Sequence, residues 1–191
     1  WDVGLGAASN AMAAVNEIES LKTKQSSSRT VHIVSFENDL NSLKLALKNP
    51  ALFPHVKHPA PSAIANTGCW HNETAGILWQ LKAGDFAENF VHAPAPDIIY
   101  YDMYSLRFNE RMWSMTLFQK IFAHCGTKNT RLITYSVSTR VRTALLAAGF
   151  YIGYGVGSGP KTATTIAFTS PKDAQTHPFP IGTEWLGKWG R

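Results

Sequence analysis

The chain predicts an open α/β sheet with helices on both faces, mostly parallel and finished by a C-terminal antiparallel hairpin. Three observations carry this. Short β-branched or aromatic runs alternate with segments of helical spacing. A glycine turn, Gly4-Leu5-Gly6, stands between the first strand and the first helix. Acidic residues close three later strands, at the edge where open α/β sheets bind ligands.

Trp1-Asp2-Val3 reads as the end of a strand, one expected to be cut short at the N-terminus. From Ser9 to Lys24, Met12, Val15, Ile18 and Leu21 recur every three residues, which predicts a helix with an apolar face. Gln25-Ser26-Ser27-Ser28 ends it, and Val31 to Phe36 is a second strand closed by Glu37. Leu40, Leu43 and Leu47 place a helix over 39–47. Residues 48–72 hold four prolines and three histidines without a period, so a long functional or mobile loop is expected there.

Gly76 to Lys82 is a strand ending at Gly84-Asp85, and Asp97 to Asp102 another ending at an acid. Trp113, Leu117, Phe118 and Ile121 form a helix stripe. Leu132 to Tyr135 is a strand, and Thr139 to Ala148 a helix stopped by Gly149. Tyr151–Val156 and Thr164–Phe168, joined through Gly157-Ser158-Gly159-Pro160, make the hairpin. Residues 1–170 are therefore one expected domain, and 171–191 an irregular tail.

With 45% hydrophobic residues, the chain can bury a substantial core. The formal charge of +5 is unevenly spread: residues 1–100 carry 7 Lys/Arg against 9 Asp/Glu, residues 101–191 carry 11 against 4. A basic second half admits nucleic acid as a partner, because cations there displace counterions from phosphates. Cys69 and Cys125 form no C-x-x-C pair, which excludes a structural zinc module and a disulfide scaffold; both read as buried thiols of a reducing cytosol. No apolar run approaches the ~20 residues of a membrane-spanning helix, and a soluble, cytoplasmic protein is expected. His55, His58 and His71 match no zinc spacing, so no metal is assigned.

A glycine turn lets backbone N–H groups approach a ligand closely. Glu37 is placed to accept ribose hydroxyls, and Asp85 the exocyclic amine of an adenine. The third glycine of G-x-G-x-x-G would fall at Ser9, no second mononucleotide half is visible, and dehydrogenase sheets lack the terminal hairpin. S-adenosyl-L-methionine is therefore favoured over a dinucleotide.

The stretch Asp2-Val3-Gly4-Leu5-Gly6-Ala7-Ala8-Ser9-Asn10 is similar to the E-x-G-F-G-T-G-x-N opening of bacterial tRNA 5-aminomethyl-2-thiouridine methyltransferases. Ser35-Phe36-Glu37 and Gly84-Asp85 resemble that family's second-strand acid and G-D pair. The run from Asp102 through Asn109 to Trp113 resembles its D-x-F-[SA]-P-x-x-N-P-x-x-W, and Gly157 to Lys161 its closing G-x-G-x-K turn. The resemblance implies a Rossmann-like class I methyltransferase that moves a methyl group from S-adenosyl-L-methionine to the aminomethyl nitrogen of a wobble uridine in tRNA. It implies a cofactor site of Asp2, Gly4, Gly6, Asn10, Glu37, Asp85 and Asp102, with Asp102 as catalytic base.

Tyr104, Asn109, Arg140, Arg142 and Lys161 are the expected substrate contacts, Tyr104 by stacking on the uracil and the cations by meeting phosphates. A flavin-dependent oxidase domain, outside this segment, accompanies the domain in some relatives. Four departures stand out: Ala8 and Met103 replace glycines, while Leu106 and Glu110 replace prolines. A loop without its prolines is less rigid. A different amine or oxygen acceptor, or a non-catalytic RNA-binding relative, are the alternatives.

Overall fold

The computed structural model describes residues 1–24, 29–104, 107–158, 161–182, 185 and 187, leaving out the side chains of residues 23, 24, 158, 161 and 162. Gln25 to Ser28, Ser105, Leu106, Gly159 and Pro160 therefore lie outside the described residues. Two compact units are present, Trp1–Ala93 and Pro94–Arg191.

The first unit opens with β1 (Asp2–Val3), α1 (Ser9–Lys24), β2 (Val31–Glu37) and α2 (Asn41–Lys48), in the order expected. Four consecutive residues of β2, Ile33 to Phe36, are buried, as in a strand covered on both faces. In α1 the expected stripe holds at Met12 and Val15, which are buried, but Leu21 is half exposed. A strict three-residue repeat drifts about 60° per step around a helix of 3.6 residues per turn, so the stripe leaves the core after two turns. Ala11 in the helix, and Ala8 just before it, are buried instead.

The proline-rich stretch is not an irregular loop. A 3-10 turn at Pro54–Lys57 leads into α3 (Pro59–Thr67), followed by β3 (Cys69–Asn72) and, after a turn, β4 (Ile77–Ala83). Pro59 and Pro61 occupy the first and third helical positions, whose N–H groups would have no acceptor inside the helix, so these prolines are compatible with its start. His58 Nδ1 accepts the Ala60 N–H at 3.1 Å, and Gly68, at φ 72°, ends the helix. Strand order in this unit is β3-β4-β2-β1. β2 is parallel to β1 and β4, with Asp2 opposite Ser35 and Glu37 opposite Ala83, while β3 runs antiparallel to β4. Cys69, expected inside, is exposed on β3, whereas Cys125 is buried. Alternate residues of an edge strand face solvent, and Cys69 falls on that side. The unit closes with α4 (Phe86–Asn89) and a 3-10 turn at Phe90–His92.

The second unit contains β5 (Ile98–Tyr101), α5 (Met115–Cys125), β6 (Arg131–Thr134), α6 (Thr139–Ala147), β7 (Tyr151–Ser158), β8 (Lys161–Phe168) and α7 (Pro171–Thr176). Its strand order is β5-β6-β8-β7; β5 and β6 are parallel, and β8 is antiparallel to both neighbours. Trp113 is buried as expected but lies in a 3-10 turn, Glu110–Trp113, because Ser114 caps α5 by accepting the Leu117 N–H. The tail is more regular than its prolines suggest. Pro171 takes the first position of α7 behind the Ser170 cap, and Phe179 to Ile181 then bond the backbone of Ile152 and Tyr154 in β7. No helix among the described residues is long and apolar enough to cross a membrane.

Candidate functional site

In the first unit, the turn after β1 is built from three left-handed residues: Gly4 at φ 87°, Gly6 at 52° and Ala8 at 67°. For alanine that conformation costs about 1–2 kcal/mol, which explains why a glycine is the ordinary occupant. The Gly4 N–H donates to the Phe36 carbonyl at 3.1 Å, and the Gly6 N–H to Glu37 Oε2 at 3.1 Å. Glu37 Oε1 accepts the N–H groups of Asn38 and Asp39, while its carbonyl accepts the Gly84 N–H at 2.9 Å. Glu37 therefore ties together the carboxyl ends of β1, β2 and β4.

Asp85 is the N-cap of α4, with Oδ1 accepting the Ala87 N–H at 2.8 Å. Asp2 is buried; its Oδ2 accepts the Ser35 hydroxyl at 2.8 Å, and that hydroxyl oxygen accepts the Trp79 indole N–H at 2.9 Å. Asn10 lies half-buried in the first turn of α1. Asp2, Gly4, Gly6, Glu37 and Asp85 thus come together at one end of the parallel strands. A Cβ placed on Gly6 would meet nothing within 4 Å, so space is open above the turn.

In the second unit, Asp102 follows β5 directly and is exposed. The backbone beyond it is held by aromatic donors that the sequence reading did not assign to the site. The Tyr135 hydroxyl donates to the Met103 carbonyl at 2.9 Å, and the Trp113 indole N–H to the Tyr104 carbonyl at 2.8 Å. Burial, and after it the nearby Asp102 charge, push the Tyr135 phenol above its ordinary value, so it remains a donor. Tyr104 and Phe108 carry the most exposed aromatic rings of this loop, at 69% and 80%. Asn109 precedes the 3-10 turn and caps nothing with its side chain.

The expected basic contacts are not equivalent. Arg140 is exposed and ion-paired with Glu110, one of the residues replacing a proline. Lys161 has its backbone opposite Ser158 at the end of the hairpin; its side chain is outside the described residues. Arg142 departs from expectation, because it is buried. Its Nε donates to Thr165 Oγ1 at 3.0 Å and an Nη to the Thr164 carbonyl at 3.3 Å, and its guanidinium lies 4.8 Å from the Tyr154 ring centre. Burial pulls its proton affinity below the ordinary value, opposed by Tyr154. It fastens α6 to the hairpin, and its donors are turned to Thr164 and Thr165. Arg142→Met is expected to lower the unfolding free energy by about 2–3 kcal/mol, the scale of hydrogen bonds to a charged group. Urea unfolding beside RNA binding would check this: weaker RNA binding at unchanged stability would be the contrary result.

Two of the three histidines of the proline-rich stretch have structural partners. His55 Nε2 lies 2.8 Å from the Ala7 carbonyl, and His58 Nε2 lies 3.5 Å from Glu19 in addition to capping α3.

Comparisons with known proteins give the setting. A family model described as S-adenosyl-L-methionine-dependent methyltransferase matches residues 58–170. The tRNA 5-methylaminomethyl-2-thiouridine biosynthesis bifunctional protein MnmC of Aeromonas hydrophila is 28% identical over 176 residues, 84% of this chain and 26% of that protein. The protein of the same name from Legionella pneumophila is 44% identical over 62 residues, 32% of this chain and 9% of that protein. The chain thus spans about a quarter or less of these relatives. The crystal structure of MnmC2 from Aquifex aeolicus matches with a TM-score of 0.67 and 20% identity, covering 98% of this chain and 56% of that one. At that identity the likeness is one of fold.

Proposed function

Because the chain belongs to a family of S-adenosyl-L-methionine-dependent methyltransferases, we propose that it methylates the aminomethyl nitrogen of a modified wobble uridine in tRNA. Its fold is the Rossmann-like class I fold of that chemistry, with the antiparallel hairpin at its C-terminal end. The observation that carries the substrate reading is the alignment, over 84% of the chain, to a protein named for tRNA 5-methylaminomethyl-2-thiouridine biosynthesis. The same name calls that protein bifunctional, which supports a fused oxidase domain as partner. A cytoplasmic location follows from a tRNA substrate. Residues 1–170 are the proposed methyltransferase domain.

The donor set of the first unit fits the cofactor. Ribose hydroxyls and an adenine amine are donors; Glu37, bonded to the Gly6 N–H beside the open space above the turn, and Asp85, just past the end of β4, offer carboxylate acceptors. Asp2, Gly4 and Asn10 complete the proposed cradle. When bound, S-adenosyl-L-methionine supplies a methyl group on a positively charged sulfur. Asp102 would orient the amine and take the proton that blocks its lone pair, which frees the nitrogen to accept that methyl group. Tyr104, Asn109, Arg140 and Lys161 are the proposed tRNA contacts.

Glu37 already carries three backbone N–H groups, so ribose binding draws on a carboxylate that also shapes the turn. Glu37→Ala is expected to weaken cofactor binding by about 1–3 kcal/mol in calorimetry, the scale of charged hydrogen bonds. Unchanged affinity would remove Glu37 from the site.

Glu110 competes with phosphate for Arg140. Glu110→Gln is therefore expected to tighten tRNA binding and to steepen its salt dependence by up to about 0.9 in log–log slope, one additional phosphate contact. An unaltered slope would mean that Arg140 does not meet RNA. The pairing of Glu110 with Arg140 also favours a second reading, in which a different amine or oxygen is methylated. Incubating the full chain with cofactor and tRNA from a strain lacking this gene, followed by nucleoside mass spectrometry, separates the two. A methylated aminomethyl uridine supports the tRNA reading, and cofactor binding without methylation of any tRNA nucleoside favours the second.

A further inference from the structure

The peptide unit joining Ala7 and Ala8 is the strained link of the glycine turn. Its N–H belongs to Ala8 and donates to the Leu5 carbonyl at 2.7 Å; its C=O belongs to Ala7 and lies 2.8 Å from His55 Nε2. A carbonyl can only accept, so Nε2 carries the proton. Both ends of one peptide plane are therefore held, and the plane's orientation fixes ψ of Ala7 and φ of Ala8. Ala8 is the one non-glycine residue at positive φ among the described residues, and it is fully buried. Such a conformation persists only when its surroundings over-determine it.

His55 reaches the turn from far along the chain. It sits in the 3-10 turn Pro54–Lys57, where Phe53 packs edge-on against its ring at 6.3 Å between centres. The prolines of this region serve the same end, because Pro54 begins that turn and Pro59 begins α3 just beyond it. Two unusual features thus meet at one bond: an alanine where a glycine would be unstrained, and a histidine that holds its peptide.

We propose that His55 is a positioning residue for the cofactor: it locks the Ala7–Ala8 peptide so that the Gly4–Ala8 turn stands ready for S-adenosyl-L-methionine. This rests on the reading that the turn and Glu37 hold that cofactor. His55 acts on the backbone and touches neither reacting atom. Its effect falls on cofactor affinity, with turnover at saturation unchanged. Its importance depends on Ala8, since a glycine there would hold the same conformation without help.

The test is a double-mutant cycle of His55→Ala and Ala8→Gly, with His55→Gln as the variant that keeps an N–H donor. Calorimetric binding of S-adenosylhomocysteine, kcat at saturating cofactor and thermal unfolding are read for each. His55→Ala is expected to weaken binding about tenfold, a single hydrogen bond's worth of pre-organisation, with kcat preserved. His55→Gln should recover most of the affinity, and in the Ala8→Gly background the loss should shrink to less than about threefold. A loss that is undiminished in that background would make His55 ordinary packing and overturn the proposal. So would unchanged binding by His55→Ala where Glu37→Ala weakens it, a result that leaves the cofactor reading intact. If neither variant alters a measurable affinity, the cofactor reading itself fails, and the proposal with it.

Discussion

Asp102→Asn should reduce methyl transfer by about 10²–10⁴-fold at saturating cofactor, the usual cost of losing general-base assistance, while cofactor affinity changes far less. A primary alkylamine has a pKa near ~10, so at neutral pH it carries the proton that blocks its lone pair. Asn keeps the shape of Asp102 but can neither take that proton nor favour the positive charge developing on nitrogen. The position suits the task. Asp102 stands at the end of β5, exposed, where a proton can pass on to water, and the backbone beyond it is pinned by Tyr135 and Trp113. Had Asp102 only bound the methionine ammonium group, the variant would lose cofactor affinity in proportion to rate. Single-turnover methylation with saturating S-adenosyl-L-methionine distinguishes the cases, and normal turnover there would leave Asp102 as a binding residue.

The strands other than β3 were legible because their burial is written locally. A run such as Val31 to Phe36 closed by an acid leaves little choice, and the acids at strand ends then mark the ligand edge. The α3–β3 segment was not legible, since its prolines erase the period that announces a helix. Only the positions of Pro59 and Pro61 within the first turn make them harmless, and a position exists only once the helix start is known. Arg142 shows a different limit. A basic residue on α6 reads as surface until Thr164 and Thr165, from a strand more than twenty residues later, are found around it. The aromatic donors to the loop after Asp102 were hidden for a related reason. Trp113 reads correctly as core, and burial alone does not reveal that its N–H faces the Tyr104 carbonyl. The left-handed Ala8 could be suspected from the glycine pattern, but its support by His55 required the fold.

Trp79→Ala is expected to cost about 3–5 kcal/mol, the range for deleting a buried large aromatic side chain, out of a typical ~5–15 kcal/mol of total stability. Trp79 is fully buried on β4 between Ile33 of β2 and Trp70 of β3, and it packs in the cluster formed by Leu5, Met12, Val15 and Ile64. Its loss opens a cavity under α1 and the glycine turn together. The indole also has a polar duty, because its N–H donates to Ser35, whose hydroxyl donates to Asp2 on the neighbouring strand. Trp79→Phe separates the two contributions: most of the ring remains, while Ser35 loses a donor, at about 1–3 kcal/mol for the unsatisfied buried group and the small void. Urea unfolding with and without S-adenosyl-L-methionine reads both effects, since a ligand that binds only the folded state adds stability that grows as the logarithm of one plus its concentration over its dissociation constant. Wild type should gain more from the cofactor than Trp79→Phe does, because a less firmly held Asp2 weakens the proposed cradle. Equal gains would confine the Trp79–Ser35–Asp2 chain to holding β1, β2 and β4 together and would take Asp2 out of the cofactor site.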